Sequence, residues 1–424
     1  MGLVTTTAVV VASMVGTGVF TTTGFLLADL NSRAWVLVVW LLGGVLAACG
    51  ALSYGALARA IPESGGEYVF LSQTLHPAAG YLAGWVSLTA GFCAPMASAA
   101  IAFGAYVAPF LPAGVPPMAA GLTMLALAAL LHATSRRNGT RLHGVVVACV
   151  LVLILSMALF GLSRARASLA DHGITSFPAP DLAVSLVWVS FSYAGWNAGV
   201  YIGGEVRDPQ VTLPRALLLG TAFTTLVYLL LNTAFVLAGP TNLLAGKLDV
   251  GKIAATTWGG PQLGTFVSAL VALALAASIS ALTFTAPRVL GRMAADGYLP
   301  RVLALAADGS PPRAAIALLF VLSAALAATA AYEHLLTYIG VLLGLCNAGT
   351  VIGLYRLRRR QPDLRVPGWP VVPVLFLALT AWMILLTVYR RPKESAVGAV
   401  TLLAGLALYR MQTRRLRGRS HDVP

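Results

Sequence analysis

The chain has 424 residues, of which 58% are hydrophobic and only 10% charged, with a formal net charge of +14. A water-facing surface normally carries about 25% charged residues, so a soluble globular enzyme is excluded and the solvent is largely lipid. The positive excess invites a nucleic-acid reading, which the placement of the charges excludes.

In chain order, apolar blocks fall at 3–29, 34–58, 78–108, 115–134, 143–163, 183–203, 216–239, 262–290, 313–331, 335–355, 370–389 and 396–411. Each approaches the roughly 20 residues needed to cross a bilayer as a helix, which predicts an all-α integral membrane protein of about twelve helices. The blocks are continuous rather than alternating, which argues against a membrane β-barrel. The longest connections, near 164–182, 240–261 and 356–369, are too short for an independent core. One polytopic domain is expected: five spans over 1–163, five over 183–355, two more over 370–411, and a basic tail at 412–424.

Lysine and arginine sit in the connections, 20 on one side and 8 on the other. The richer side includes Arg136, Arg137, Arg141, the arginines of 356–365 and those of 410–419. The positive-inside rule makes that side cytoplasmic and places both termini there, as expected for a plasma (inner) membrane protein. The basic balance is therefore an orientation signal, with attraction to anionic membrane lipids as a by-product and no nucleic-acid partner.

Cys49, Cys93, Cys149 and Cys346 stand alone within apolar blocks, as small buried hydrophobes do. The first span lacks the basic start of a signal peptide and is followed by another span. The acylation-like start Met1-Gly2 and the sequon Asn138-Gly139-Thr140, on the cytoplasmic side, are read as chance matches. The six histidines form no metal-binding pattern. Gly16-Thr17-Gly18 lacks the third glycine and the preceding strand of a nucleotide fingerprint, so no cofactor or metal is expected.

Two spans are internally broken. The first reads MVGTGVFTTTG, and the sixth, 178 residues later, reads FSYAGWNAGVYIGGE. Glycine-interrupted spans at corresponding places in two halves point to a transporter built from inverted repeats. Unwound backbone in mid-membrane is tolerable only where it lines a cavity. At Gly16-Thr17-Gly18 the following half-helix presents amides and a positive dipole end, suited to a carboxylate. At Phe191-Ser192-Tyr193 the ending half-helix presents carbonyls and a negative end, suited to an ammonium. Together they describe an α-amino acid. Ser87, Thr89, Met96, Ser98, Ser278 and Ser280 of the third and eighth spans are expected around the side chain. The only acid in or beside the sixth span is Glu205, so a substrate with an extra cationic group would be unpaired in low dielectric, and neutral substrates are favoured.

Several segments resemble the amino acid–polyamine–organocation transporter family, nearest in look to the L-type amino acid transporter branch and its bacterial relatives. They are VGTGVF at 15–20, PESGGEYVFL at 62–71, FSYAGWNAGVYIGGEVRDP at 191–209, PRVLGRMAADGYLPRVL at 287–303 and YRLRRRQPDLRVPGWP at 355–370. The resemblance implies a LeuT-like fold, with a 5+5 inverted repeat, two C-terminal helices and discontinuous first and sixth spans. It implies a permease rather than an enzyme, a secondary active transporter working by alternating access. Gly16, Thr17 and Gly18 would hold the substrate carboxylate. Phe191, Ser192 and Tyr193 would hold the amino group through carbonyls, with Phe191 also an aromatic lid. Ala194, Gly195, Trp196 and Asn197 would shape the pocket, and Glu205 would gate or anchor the inner end.

For energy coupling, the family pattern puts Val150 where some relatives carry a lysine, and 143–163 contains none, which argues against lysine-linked proton coupling. Met14 and Val15 carbonyls with Ser278 and Ser280 are a candidate cation site of oxygen ligands; exchange, or H+ or Na+ symport, stays open. Family members carry a short tail before the first span, which here begins almost at Met1. The rival readings are a carrier of amines, polyamines or cationic amino acids on the same fold, a non-transporting membrane receptor, and a membrane-embedded enzyme. The last lacks a visible catalytic constellation.

Overall fold

The computed structural model describes the chain except residues 64, 135–139, 166–168, 170–176, 305–310 and 422–424, and describes backbone alone for 140–147 and 414–421. Arg136, Arg137, Arg166, the side chains of Arg141 and of the arginines of 414–419, and the sequon thus lie outside the described residues. The described residues are all-helical, in the order α1 (Leu3–Met14), α2 (Gly18–Leu30), α3 (Arg33–Ala60), α4 (Gly66–Thr74), α5 (Pro77–Val86), α6 (Ala94–Val107), α7 (Pro117–Thr134), α8 (Thr140–Ser163), α9 (Ala179–Ser192), α10 (Ala198–Tyr201), α11 (Pro209–Val236), α12 (Thr241–Leu244), α13 (Val250–Gly259), α14 (Pro261–Ala295), α15 (Arg313–Thr329), α16 (Tyr332–Arg360), α17 (Val371–Arg390) and α18 (Pro392–His421).

Seven of the described helices are individually long and apolar enough to cross a membrane: α3, α5 to α6 as one rod, α7, α11, α14, α16 and α17. The bent pair α1 and α2 makes an eighth. Local chemistry sets the boundaries. Asn31 closes α2 in the left-handed region (φ 46°), and the Ser32 hydroxyl caps α3 by accepting from the Trp35 amide at 3.4 Å. A polar side chain at that position satisfies one amide that the new helix cannot. Pro77 starts α5 where its missing N–H costs nothing, and the His76 ring caps it by accepting from the Ala78 amide at 3.1 Å.

Two features depart from the sequence reading. The 240–261 connection is not plain loop, since it folds into α12 and α13, and Val250, Ala254, Ala255 and Trp258 of α13 join the core. The third span is preceded by a separate helix, α4, and is itself interrupted by a π-helical stretch at Ser87–Cys93. Both α4 and α13 are too short and too polar to register as spans.

The packing centres on the broken segments. α2 lies on α9, while α1 meets α10 and α11. α3 runs along α11, α6 along α14, and α7 along α15. α8 touches α11 and α14, and α16 touches α3 and α6. α17 covers α9 and α3, and α18 flanks α5 and α16. Leu127, Leu130 and Leu131 of α7, Phe266 and Leu273 of α14, and Leu385 of α17 stay exposed; on a membrane protein such residues meet lipid rather than water.

Tyr106 of α6 joins three elements. Its hydroxyl donates to the Phe20 carbonyl at 2.9 Å and accepts from the Gly251 amide at 3.0 Å, fixing α2 and α13 to α6. Removing this hydroxyl leaves a buried amide unsatisfied, which costs about 1–3 kcal/mol. Tyr106→Phe is therefore expected to lower the melting temperature of the detergent-solubilised protein measurably, while a lipid-facing control such as Leu130→Ala moves it little.

Candidate functional site

The first break is Val15-Gly16-Thr17. Val15 turns extended (φ −73°, ψ 101°), α2 restarts at Gly18, and the two half-helices meet at 44°. A helix cannot satisfy its own first amides; among the described residues those of Thr17, Gly18 and Val19 have no backbone acceptor. The carbonyl end of α1 is treated differently, because Tyr228 Oη of α11 donates to the Met14 carbonyl at 2.7 Å and lies beside the Gly16 amide. With those negative partial charges engaged and the α2 amides free, the break is net positive. Thr17 is buried, at 5% exposure. Tyr332 of α16 reaches its hydroxyl and that of Thr21, the latter at 2.6 Å. A methyl group built on Gly16 would find no atom nearer than 4.0 Å. Gly16 is half-buried, with room beside its Cα.

The second break runs from Tyr193 to Asn197, between α9 and α10. Gly195 adopts φ +101°, which an L side chain rarely takes. The Phe191 carbonyl accepts from the Ala194 amide at 2.9 Å and the Gly195 carbonyl from the Ala198 amide at 2.9 Å. The carbonyls of Ser192, Tyr193 and Ala194 accept no backbone hydrogen bond among the described residues. The α9 C-terminus thus offers unpaired carbonyls, the complement of the α2 N-terminus.

The two breaks touch. A Cβ on Gly18 would lie 2.2 Å from Ser192 Oγ and 2.7 Å from its Cα, and one on Gly195 would lie 2.3 Å from the Ser13 carbonyl oxygen. The Thr22 and Ser192 hydroxyls share a hydrogen bond at 3.0 Å. Two glycines allow the segments to cross closely, Gly18 against Ser192 and Gly195 against the Ser13 carbonyl, so the positive end of α2 and the negative end of α9 meet.

The other expected residues fall into distinct places. Phe191 is buried at 8% exposure beside the α9 terminus. The Tyr193 side chain donates to the Trp40 carbonyl at 3.0 Å and packs at a tilt against the Trp40 and Tyr228 rings. Trp196 packs edge-on against Tyr54 at 4.7 Å and against Phe376, filling the gap at Gly50. Glu205 is exposed; its carbonyl, not its carboxylate, accepts from the Met1 amine at 2.5 Å. Two of the four candidate cation ligands have partners of their own. The Met14 carbonyl is bonded to Tyr228, and Ser280 Oγ pairs with His132 Nε2 of α7 at 2.8 Å. Ser278 is half-buried on the same helix as Ser280. Ser87 and Thr89 bond their own helix, to the Ala83 carbonyl at 2.8 Å and the Trp85 carbonyl at 3.2 Å. No cluster of three or more metal-binding side chains occurs among the described residues.

Sequence reasoning missed Glu67. By sequence, 62–71 reads as the loop and start of the third span, and Glu205 as the only acid in or beside the sixth. The structure folds Glu67 inward on α4, leaves it 5% exposed, and sets its carboxylate against Asn197 Nδ2 and the Tyr201 hydroxyl at the far side of the second break. Tyr228 and Tyr332 were missed as well. A readable signal existed for Tyr228, a polar aromatic four residues before Asn232 in an apolar span, since polar groups inside a membrane helix are functional by default.

At the opposite end of the broken spans, charges close the structure. Arg390 pairs with Asp181, and Arg391 lies 3.7 Å from Asp29 and 3.6 Å from Glu333. The Arg391 guanidinium also sits 5.5 Å from the Trp188 ring, one turn from the α9 terminus.

These contacts separate packing glycines from the open one. Gly18→Ala and Gly195→Ala each force a backbone or side chain to move, and Gly195→Ala adds conformational strain of about 1–3 kcal/mol. Both are expected to lower the melting temperature by several degrees. Gly16→Ala is expected to leave it nearly unchanged and to weaken amino-acid binding measured by ligand-induced thermal shift.

The amino acid permease family profile matches residues 1–407. Over 96% of its length the chain is 29% identical to the large neutral amino acids transporter small subunit 2 of Mus musculus, covering 80% of that protein. It is 28% identical to the Asc-type amino acid transporter 1 of Mus musculus, covering 96% of the chain and 80% of the relative. For the b(0,+)-type amino acid transporter 1 of Mus musculus the figures are 27%, 96% and 87%. With helices of membrane-spanning length throughout and a profile match over nearly its whole length, the chain belongs to the amino acid permease family of multi-pass membrane proteins.

Proposed function

We propose that this permease is a secondary transporter of neutral α-amino acids, binding the carboxylate at the α2 N-terminus and the ammonium at the α9 C-terminus and exposing them alternately to the two sides of the plasma membrane. The observation that carries this reading is the crossing of the two breaks, which places free amides and free carbonyls at one point among uncharged side chains. A zwitterion matches both ends at once. The names of two relatives, which speak of large neutral amino acids and of amino acids, support the same substrate class.

The reading includes twelve spans and two inverted repeats, with α1 and α2 corresponding to α9 and α10, α3 to α11, α6 to α14, α7 to α15, and α8 to α16. The contacts support it. First to sixth, second to seventh, third to eighth and fourth to ninth spans all touch, and the fifth meets the seventh and eighth as the tenth meets the second and third. A pseudo-two-fold axis generates that pattern. Both termini are cytoplasmic in this reading. Exchange is favoured over sodium symport, because the Met14 carbonyl and Ser280 are engaged elsewhere.

Proteoliposomes loaded with unlabelled leucine are expected to take up radiolabelled leucine saturably, with an imposed sodium gradient changing the rate less than about twofold. The Gly18→Trp protein should be silent. Absence of saturable uptake across a panel of neutral amino acids overturns the reading. A thermal-shift comparison separates amino-acid from amine recognition: leucine should stabilise the protein and its decarboxylated amine should not.

A further inference from the structure

α16 is longer than the membrane is thick. Its 29 residues, Tyr332–Arg360, extend about 44 Å at 1.5 Å per residue, against roughly 30 Å of hydrocarbon. Its charged ends therefore lie among the lipid head groups, and the C-terminal one carries Arg356, Arg358, Arg359 and Arg360. α17 starts at Val371 and packs back against it. At this end a cleft of about 390 Å³ is lined by Ile352, Tyr355, Arg356 and Arg359 of α16 and Leu377 of α17. Offsets of three, four and seven residues from Ile352 put the four α16 residues on one helix face. The lining is graded along the axis. Ile352, 47% exposed, and Leu377 form an apolar foot, Tyr355 stands one turn nearer the helix end, and the exposed Arg356 and Arg359 form the mouth.

The positive charge here has no counter-charge. Among the described residues Arg356, Arg358 and Arg359 form no ion pair, and Asp363, the one acid of 356–365, pairs with none of them. Arg356 donates to the neutral Leu75 carbonyl at 3.5 Å. Arg358 lies 4.1 Å over the Trp369 ring, and Tyr355 packs against the same ring at 4.5 Å, which fixes this wall of the cleft. The Tyr355 hydroxyl and Arg358 Nη1 are shielded from solvent and have no hydrogen-bond partner among the described residues. A buried donor without an acceptor is an exception in folded proteins, and an unseen ligand is one of its explanations.

We propose that the cleft between α16 and α17 is a binding site for one anionic phospholipid: Arg356 and Arg359 clamp the phosphodiester, the Tyr355 hydroxyl donates to it, and an acyl chain runs along Ile352 and Leu377. Guanidinium groups suit this anion because each presents paired N–H donors to its oxygens. A free phosphate leaves the apolar foot empty, whereas a lipid fills both parts of a cleft whose foot is open to the bilayer. A zwitterionic lipid brings a cation of its own toward two arginines. The inference depends on the membrane-spanning fold and not on the transport reading.

The melting temperature of the full-length protein in dodecyl maltoside micelles is followed while dioleoyl phosphatidylglycerol or dioleoyl phosphatidylcholine is titrated in, because a ligand that binds the folded state raises its stability. Phosphatidylglycerol is expected to reach half of its effect at a mole fraction about thirtyfold lower than phosphatidylcholine, about fivefold for each arginine. The double variant Arg356→Ala/Arg359→Ala should abolish that preference. Arg301→Ala/Arg410→Ala removes as much charge from exposed positions that do not line the cleft, and should keep it. Tyr355→Phe changes no charge and should raise the phosphatidylglycerol midpoint about fivefold, the loss of one hydrogen bond. Inorganic phosphate at the same total phosphorus concentration should not stabilise the protein. Equal midpoints for the two lipids, or a preference that survives in the cleft double variant, overturn the site. A preference lost equally in both double variants also overturns it and leaves diffuse attraction to a cationic surface. Phosphate acting as well as phosphatidylglycerol overturns the lipid as occupant. If the cleft double variant shows no melting transition, Tyr355→Phe decides, and an unchanged midpoint there overturns the proposal.

Discussion

Backbone amides and carbonyls that leave a helix inside a water-free interior must find partners, and the rest of this protein is arranged around two places where they do. An unpaired peptide group in such surroundings costs several kcal/mol. At each break one half of the exposed groups is satisfied by the protein and the other half has no backbone partner among the described residues. Tyr228 engages the Met14 carbonyl, Tyr106 the Phe20 carbonyl, and Tyr332 the hydroxyls above the α2 terminus. Tyrosine suits this work, since its rigid ring spans the distance from a neighbouring helix and presents one hydroxyl at the end. What is left open has a sign: amides at α2, carbonyls at α9.

The two ends of the broken spans are closed by different physics. At the α17 end Arg390 and Arg391 hold Asp181, Asp29 and Glu333, side chains that are a quarter to a half exposed. Pairs of this kind contribute about 0–1 kcal/mol each. At the α10 end the contact is buried, with the Glu67 carboxyl group accepting from Asn197 and Tyr201. The asymmetry also separates their dependence on solution conditions, because exposed pairs are screened by salt while a buried group is screened much less.

The helices and the position of both breaks were legible, because lipid imposes length and apolarity and because glycine clusters in mid-span have few other uses. The boundaries at Met14, Gly18 and Ser192 follow directly from MVGTG and FSYAG. What was not legible depends on contacts between distant segments. Nothing local says that Gly18 lies on Ser192, 174 residues away, or that Gly195 lies on Ser13 while Gly16 lies on neither. The same limit placed Glu67 in a connection: α4 is a helix of 9 residues whose burial comes from α10 and α16, not from its own pattern. The partner of Ser280 was equally hidden, because only the rotation of α14 turns it to His132.

The restriction to neutral substrates rested on a site without acids, and finding Glu67 does not remove it. Each half-helix end supplies roughly half an elementary charge, so one α-carboxylate and one α-ammonium exhaust the two fields. A cationic side chain would need a third counter-charge. Glu67 is the only buried acid among the described residues, and both its oxygens are already turned to Asn197 and Tyr201. Drawing it toward a substrate would break both of those contacts. A substrate that the backbone alone can neutralise makes no such demand.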